Sequence, residues 1–321
     1  MIRWLALGAL LLVALSSLAL TTGSYPLTLS QLFQALLGEG DATARTIVWD
    51  LRLPRALQAA LVGSCLAAAG AAFQSLLRSP LADPYLIGTS AGASLGTAVA
   101  VVLGLGAMWL PWVAFLGALA SVALVMRMAR QQGQLRLEDV LLVGVMTSTL
   151  LGSLVSLLLT LSGQEMGRLV FFLLGNLSHP SWQLLAGCLP AVVIGLALLV
   201  YHAYSLNLLS LGEEMAAASG VAVETVKSRV LLGASLLTAV AVSLAGLVGF
   251  VGLVIPHLCR LWVGPDLRKV LPLTLLWGAT FLLLCDWLGR FAPHPLPVGV
   301  VTALTGAPWF LWQLRQLRQE A

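Results

Sequence analysis

Stretches such as residues 183–203, which read QLLAGCLPAVVIGLALLVYHA, decide the fold. This stretch carries no charged residue, and a helix of roughly 20 apolar residues crosses the hydrocarbon core of a bilayer, about 30 Å. The 321-residue chain follows the same bias, with 59% apolar residues, 9% charged residues and a mean hydropathy of +0.97. Soluble domains carry about 25% charged residues, and disordered chains carry more charge and less apolar surface. The composition therefore predicts an all-α polytopic membrane protein.

Ten apolar segments have, or approach, the length of a membrane span. They lie near 4–21, 56–77, 86–105, 110–127, 139–161, 183–203, 229–247, 248–264, 270–289 and 297–314. The first resembles a secretory signal, but it lacks a convincing cleavage motif, so an uncleaved span is predicted. The boundary between the seventh and eighth segments is open, because Gly246, Gly249 and Gly252 leave no clear turn.

The distribution of basic residues gives the orientation. With a cytoplasmic N-terminus, the inner segments receive twelve Lys and Arg residues and the outer segments five. This agrees with the rule that cytoplasmic loops are rich in Lys and Arg. The sequence therefore predicts cytoplasmic termini and a single multi-pass domain, residues 1–321, in the cytoplasmic (inner) membrane.

The chain lacks the motifs of an energy-converting or catalytic protein. The middle thirds of the ten spans carry no charged residue, whereas proton-coupled carriers usually have a carboxylate there. A phosphate-binding loop needs a lysine after a glycine, and neither Lys227 nor Lys269 has one. We therefore expect no catalytic residue, no metal site and no cofactor on this chain. Four isolated cysteines are expected to be small buried apolar groups: Cys65, Cys188, Cys259 and Cys285.

A dense run of small residues occupies positions 88–96, GTSAGASLG. Small residues let membrane helices approach closely, and this packing role is the favoured interpretation. A re-entrant or pore-lining segment is the alternative, because Pro80 and Pro84 interrupt the chain just before it.

The longest polar inner segment, 205–228, is longer than a simple connector needs to be. Ser210 and Glu213 have the spacing of a capping box, and Gly220 suits the left-handed residue that closes a helix. These signals predict a helix over 211–219. Helices that lie on a membrane surface usually carry Lys and Arg, whereas this one carries Glu213 and Glu214. The segment is therefore interpreted as a docking element for a cytoplasmic partner.

Several motifs resemble those of the FecCD-type permeases, which belong to ATP-binding-cassette (ABC) importers of iron chelates, haem and cobalamin. The resemblance runs from about Gly23 to the C-terminus. The matching motifs are LRLPR at 51–55, SPLADP at 79–84, residues 206–221, GFVGLVIPH at 249–257 and PVGVVTALTGAP at 297–308.

The resemblance implies a type II ABC importer permease fold and a set of partners. These are a second copy of the chain, two cytoplasmic ATPase subunits that bind ATP and Mg²⁺, an extracytoplasmic substrate-binding protein and membrane lipid, without nucleic acid. The ATPase is expected at Ser210, Gly212, Glu213, Glu214, Ala217 and Gly220. The binding protein is expected at Arg52, Arg55 and Arg290, although headgroup contact or a local pair between Arg290 and Asp286 is an alternative.

The resemblance also implies an inner gate at Ser79, Leu81, Thr147 and Ser148. His257 and Arg260 are expected to organise the inner end of the eighth span against the docking helix. The chain departs from many relatives at 293–297, PHPLP, where they carry a glutamate before the tenth span.

These features predict the permease subunit of an importer for an iron–siderophore or related metal chelate. Cobalamin or haem is the alternative cargo. A secondary transporter or channel without an ATPase is the alternative class, and a membrane-embedded enzyme ranks last.

Overall fold

A computed structural model describes residues 1–131, 133–161, 166–291 and 295–319. The chain departure noted at 293–297 therefore lies partly outside the described residues. The helices, in chain order, are α1 Ile2–Thr21, α2 Leu29–Leu36, α3 Ala42–Thr46, a π-helical turn Ile47–Arg52, α4 Leu53–Leu76, α5 Thr89–Val102, α6 Leu110–Met128, α7 Leu137–Leu161, α8 Met166–Leu173, α9 Trp182–Tyr201, α10 Ala203–Leu211, α11 Glu213–Ala218, α12 Val223–Ala245, α13 Val251–Val263, α14 Leu267–Gly289 and α15 Val298–Gln319.

Each of the ten predicted spans coincides with one of these helices. Seven helical stretches are long and apolar enough to cross a membrane: α1, the run Ala42–Leu76 that ends with α4, α6, α7, α9, α12 and α14. Three shorter apolar helices complete the set, namely α5, α13 and the Val298–Leu311 part of α15. The predicted polytopic helical fold is thus confirmed.

Among the described residues, the strands form a single small antiparallel hairpin between α6 and α7. Its strands are β1, Arg130–Gln131, and β2, Gln134–Leu135. The sequence did not predict it, because two-residue strands leave no periodicity to detect. The hairpin leads directly into α7.

The centre of the molecule is α4, which is packed among α12, α13 and α14. Small residues allow the close contacts: a Cβ atom on Gly63 would lie 2.1 Å from the carbonyl oxygen of Gly278 in α14. By contrast, most residues of α1, α6, α7 and α9 lie outside the buried core. An apolar outer layer around a small-residue core is the arrangement expected in lipid, where close backbone packing holds helices together.

The run of small residues at 88–96 packs against α6. A Cβ atom on Gly92 would lie 2.4 Å from the Gly117 carbonyl oxygen, and one on Gly96 would lie 2.5 Å from that of Val113. This close approach supports the packing interpretation of the run.

The open boundary between the seventh and eighth spans is a non-helical loop, residues 246–250. Gly246 ends α12 with φ 68°, and Tyr85 bonds both backbone groups of Val248 through its hydroxyl, each at 3.1 Å. Unwound backbone at membrane depth needs such internal partners. The helix therefore does not continue through this boundary, and Gly246 and Gly249 lie in a real break between α12 and α13.

Candidate functional site

The predicted docking helix over 211–219 is wrong in its start. Helix α10 continues from α9 through Leu211, because Leu206 and Leu209 are buried and carry the helix onward. The Ser210 hydroxyl binds the Asn207 carbonyl oxygen at 2.6 Å instead of capping a new helix. The break falls at Gly212, whose φ of 142° is accessible to glycine. The predicted docking element is therefore a bent pair, α10 and the short α11.

The end of α11 agrees with the sequence prediction. Gly220 has φ 81°, and the Val221 and Gly220 amides donate to the carbonyl oxygens of Ala216 and Ala217 at 3.1 and 2.9 Å. These are the two bonds of a Schellman ending. Ala216 is buried against the rest of the protein, while Glu214 and Ala217 are exposed. The helix thus presents one face outward on a fixed base.

Two side chains attach α10 to the membrane helices. Asn207 donates to Asp266 at 2.7 Å and accepts the Leu267 amide at 2.9 Å, which ties α10 to the start of α14. The hydrogen bond from Arg268 lowers the pKa of the Asp266 carboxyl, so this contact is made by a carboxylate. On the other side, Arg78 Nε donates to the Leu209 carbonyl oxygen at 3.0 Å.

A third attachment holds α11 through Lys227 in the first turns of α12. The buried Lys227 ammonium lies 2.7 Å from Glu213 and 3.0 Å from Glu224. It also donates to the Leu135 carbonyl oxygen at 3.2 Å. These groups line a cleft of about 610 Å³ between α11, the hairpin and the ends of α4 and α12.

The predicted gate residues lie in two places. Leu81 is half exposed in the loop after α4, and its amide donates to the Ser79 hydroxyl at 3.3 Å. Thr147 and Ser148 lie on α7, where Thr147 is buried. A Cβ atom on Gly88 would lie 3.5 Å from the Ser148 Oγ, so α7 meets the far end of this loop. Whether these residues gate a path stays a prediction.

Asp83 lies in the same loop between α4 and α5, two residues after Leu81. Its carboxylate accepts the Tyr85 amide at 2.8 Å. Burial raises the pKa of the Asp83 carboxyl to about 6, and the Tyr85 amide opposes that rise. The loop therefore contains a carboxyl that titrates unusually close to neutrality.

The three predicted docking arginines come together at the opposite end of the molecule. They line one pocket of about 360 Å³ with residues 22–25 and Ser178. Arg52 is buried, and its guanidinium donates to the carbonyl oxygens of Leu20 and Tyr25 at 2.7 and 2.6 Å. These bonds brace the end of α1, so Arg52 has little surface left for a partner.

Arg55 and Arg290 share a carboxylate. Asp286, with a 1% exposed side chain, lies 2.8 Å from Arg55 and also pairs with Arg290. The alternative of a local pair between Arg290 and Asp286 is thus present, with Arg55 as a second partner. Two arginines against one carboxylate leave a positive excess at this surface. Docking at this surface stays a prediction.

His257 and Arg260 have different neighbours from those expected. Arg260 donates to the Ala71 carbonyl oxygen at 2.9 Å and to the Ser75 hydroxyl at 3.1 Å, and it also binds Gln74. His257 packs edge-on against Trp309, with ring centroids 6.1 Å apart. These residues brace α13 against α4 and α15, not against the docking helix, because their side chains point into the helix bundle.

Sequence reasoning missed the residues that attach the docking element. Lys227 and Arg78 lie outside the matched motifs, and Arg78, Asn207 and Lys227 each bind a partner 59 or more residues away along the chain. One signal was available: Lys227 is one of only two lysines, and it follows Glu213, Glu214 and Glu224 in the polar inner segment. Among the described residues, no group of three or more His, Cys, Asp or Glu side chains could hold a metal ion.

The four cysteines fit the expectation of small apolar groups. Cys65, Cys188, Cys259 and Cys285 are all buried and unpaired by disulfides. Thiols enclosed in this way are inert packing groups.

In the part of the chain that the structure describes, ten apolar helices around a small-residue core, with a helical protrusion at one end, define a polytopic membrane protein. Residues 10–316 match the FecCD transport family, and the chain belongs to this family. The cobalamin import system permease protein BtuC of Halobacterium salinarum is 42% identical over 274 residues, covering 85% of this chain and 74% of that protein. The hemin transport system permease protein HmuU of Yersinia pestis is 37% identical over 324 residues, covering 97% and 95%.

The fold matches the solved inward-facing conformation of an ABC transporter assigned to the metal-chelate type. The TM-score is 0.89 at 31% identity, over 98% of this chain and 100% of that chain. These likenesses confirm the predicted family, the ABC importer permease fold and a multi-pass location in the inner membrane.

Proposed function

We propose that this chain is the membrane subunit of an ABC importer that carries an iron–siderophore or similar metal chelate into the cytoplasm. The observation that carries this proposal is the bent pair α10 and α11. Helix α11 has an exposed outer face, and contacts from Arg78, Asn207 and Lys227 tie the pair to the ends of α4, α14 and α12. Force applied to such an element passes into the bundle. Cobalamin and haem, carried by two named relatives, are the alternative cargoes.

The working unit would contain two copies of the chain, two ATPase subunits and an external binding protein. Helix α7 leaves Leu142, Val145, Met146 and Leu150 exposed on the outside of the bundle. A second chain or lipid would cover this face. ATP and Mg²⁺ would bind to the ATPase, and this chain would perform no chemistry of its own.

The cargo would be held mainly by shape and apolar contact. The middle parts of the spans have no charged residue to bind it tightly. Low affinity for the cargo along the path is useful if the binding protein selects the cargo, because the permease must then release it on the cytoplasmic side. Arg55 and Arg290 supply positive charge that would guide the encounter with acidic groups of that protein.

The test is assembly and transport with the ATPase from the same organism. In lipid nanodiscs, native mass measurement should find two copies of this chain with two ATPase chains, and vesicles loaded with ATP should accumulate the chelate. Glu214→Lys with Ala217→Arg should abolish assembly, because both side chains are exposed on α11. Glu39→Lys is the matched control, an exposed reversal on the outer side.

A stable particle of this chain alone under several mild detergents would contradict the proposal. Uptake that continues without ATP or ATPase would point to the secondary transporter class instead.

A further inference from the structure

The attachment of α11 through Lys227 has a geometry that the docking role alone does not require. Lys227 is 4% exposed, yet three segments of the chain meet at its ammonium group. These are the first turn of α11 through Glu213, the start of α12 through Glu224 and the hairpin through Leu135. A docking helix needs a base, but it does not need a link to the hairpin.

The ammonium group of Lys227 is fully used. A lysine has three N–H donors, and three acceptors surround this one: Glu213 at 2.7 Å, Glu224 at 3.0 Å and the Leu135 carbonyl oxygen at 3.2 Å. The Glu213 and Glu224 side chains are 44% and 39% exposed, so water reaches the carboxylates more readily than the ammonium. If α11 moved away alone, a buried cation would lose a partner, which is strongly unfavourable.

The hairpin is fixed to α12 through both backbone groups of Leu135. The Leu135 amide donates to Glu224 at 2.6 Å, and its carbonyl accepts from Lys227. The Leu135 side chain is fully buried. Because α7 begins two residues later at Leu137, displacement of Leu135 displaces the start of α7. That helix carries Thr147 and Ser148.

We propose that Lys227 is the positioning residue that joins α11 to the hairpin, so that movement of the docked ATPase is passed to α7. Helix α11, the start of α12 and the hairpin then move as one body. The hydrogen bond from Arg78 to Leu209 links α10 to the loop after α4. This inference rests on the proposed function, since it assigns a path to the force that an ATPase would apply.

The first experiment measures transport per ATP hydrolysed in the reconstituted complex. Lys227→Met should keep assembly and ATP hydrolysis but lower the uptake per ATP at least about fivefold, the low end of ordinary coupling between sites. Glu213→Gln, which weakens only the arm to α11, should cause a smaller loss in the same ratio. Lys227→Arg keeps the positive charge and should retain most of the wild-type uptake per ATP. Lys269→Met is the matched control, since it removes the other lysine from an exposed position.

The second experiment needs no transport. Spin labels at the exposed positions Ala218 and Gln134 report the distance between α11 and the hairpin. In the wild-type complex the distance distribution should be the same with and without ATP, because the two segments move together. In Lys227→Met it should broaden or shift with ATP.

The outcomes separate the two proposals. An unchanged uptake per ATP and an unchanged distance distribution in Lys227→Met would overturn the role of Lys227. Equal losses of assembly, hydrolysis and uptake, with no change in the ratio, would also overturn it, because they indicate a purely structural residue. If the wild-type complex hydrolyses ATP without uptake, the proposed function fails, and the distance measurement still decides whether Lys227 joins the segments.

Discussion

Replacement of Gly63 by alanine tests the contact at the centre of the fold. The new Cβ would lie 2.1 Å from the Gly278 carbonyl oxygen and 2.9 Å from the Leu282 Cβ, whereas ordinary contact begins near 3.4 Å. Helices α4 and α14 must therefore separate by about 1.3 Å, the difference between 3.4 and 2.1 Å. A gap of 0.5–1 Å already forfeits roughly a quarter to a half of a dispersion contact. Overpacking of this kind costs about 1–3 kcal/mol.

A thiol-reactive fluorogenic maleimide can follow the unfolding of this variant, because all four cysteines are buried in the folded protein. At about 2–4 °C per kcal/mol, the midpoint should fall by roughly 2–12 °C. The matched control is Gly152→Ala on α7, where a Cβ would meet nothing within 4 Å. Alanine favours the helix there, so its midpoint should stay or rise slightly. A Gly63→Ala midpoint at or above that of the wild type would refute the close approach of α4 and α14.

Three further predictions use the same unfolding assay. Asp286→Asn leaves two arginines without their shared carboxylate, and it should cost about 3–5 kcal/mol; an unchanged midpoint would mean that the triad is solvated. Asp83 has its pKa raised from 3.8 to about 6, so the folded state holds this proton more tightly and wild-type stability should fall as pH rises through that window. Asp83→Asn keeps the acceptor for Tyr85 and should flatten that slope; a slope equal to that of the wild type would exclude Asp83 as its source. Trp4→Ala removes a ring stacked on Trp262, with centroids 4.4 Å apart, and should lower the free energy of unfolding by at least about 0.5–1.5 kcal/mol. Trp109→Ala removes an exposed ring and should leave the midpoint unchanged.

The helices were predictable because the signal for a membrane span is local. Twenty apolar residues identify a span without knowledge of its neighbours, and all ten segments were found in this way. The end of α11 at Gly220 was equally local, since a left-handed residue closes a helix whatever lies around it. The start of α11 could not be predicted from local sequence. A capping signal at Ser210 competed with the burial of Leu206 and Leu209, and the tertiary contact prevailed.

The same contrast separates what the sequence determined from what only the tertiary structure decided. Composition determined a polytopic helical membrane protein with ten apolar spans, and the motifs between residues 51 and 308 identified the family. The tertiary structure decided which charges pair. Asp286 binds Arg55, 231 residues away, and the Leu135 carbonyl binds Lys227, 92 residues away. Hydrophobicity adds up along a short stretch of chain, whereas an ion pair depends on a few ångströms between residues that only folding brings together.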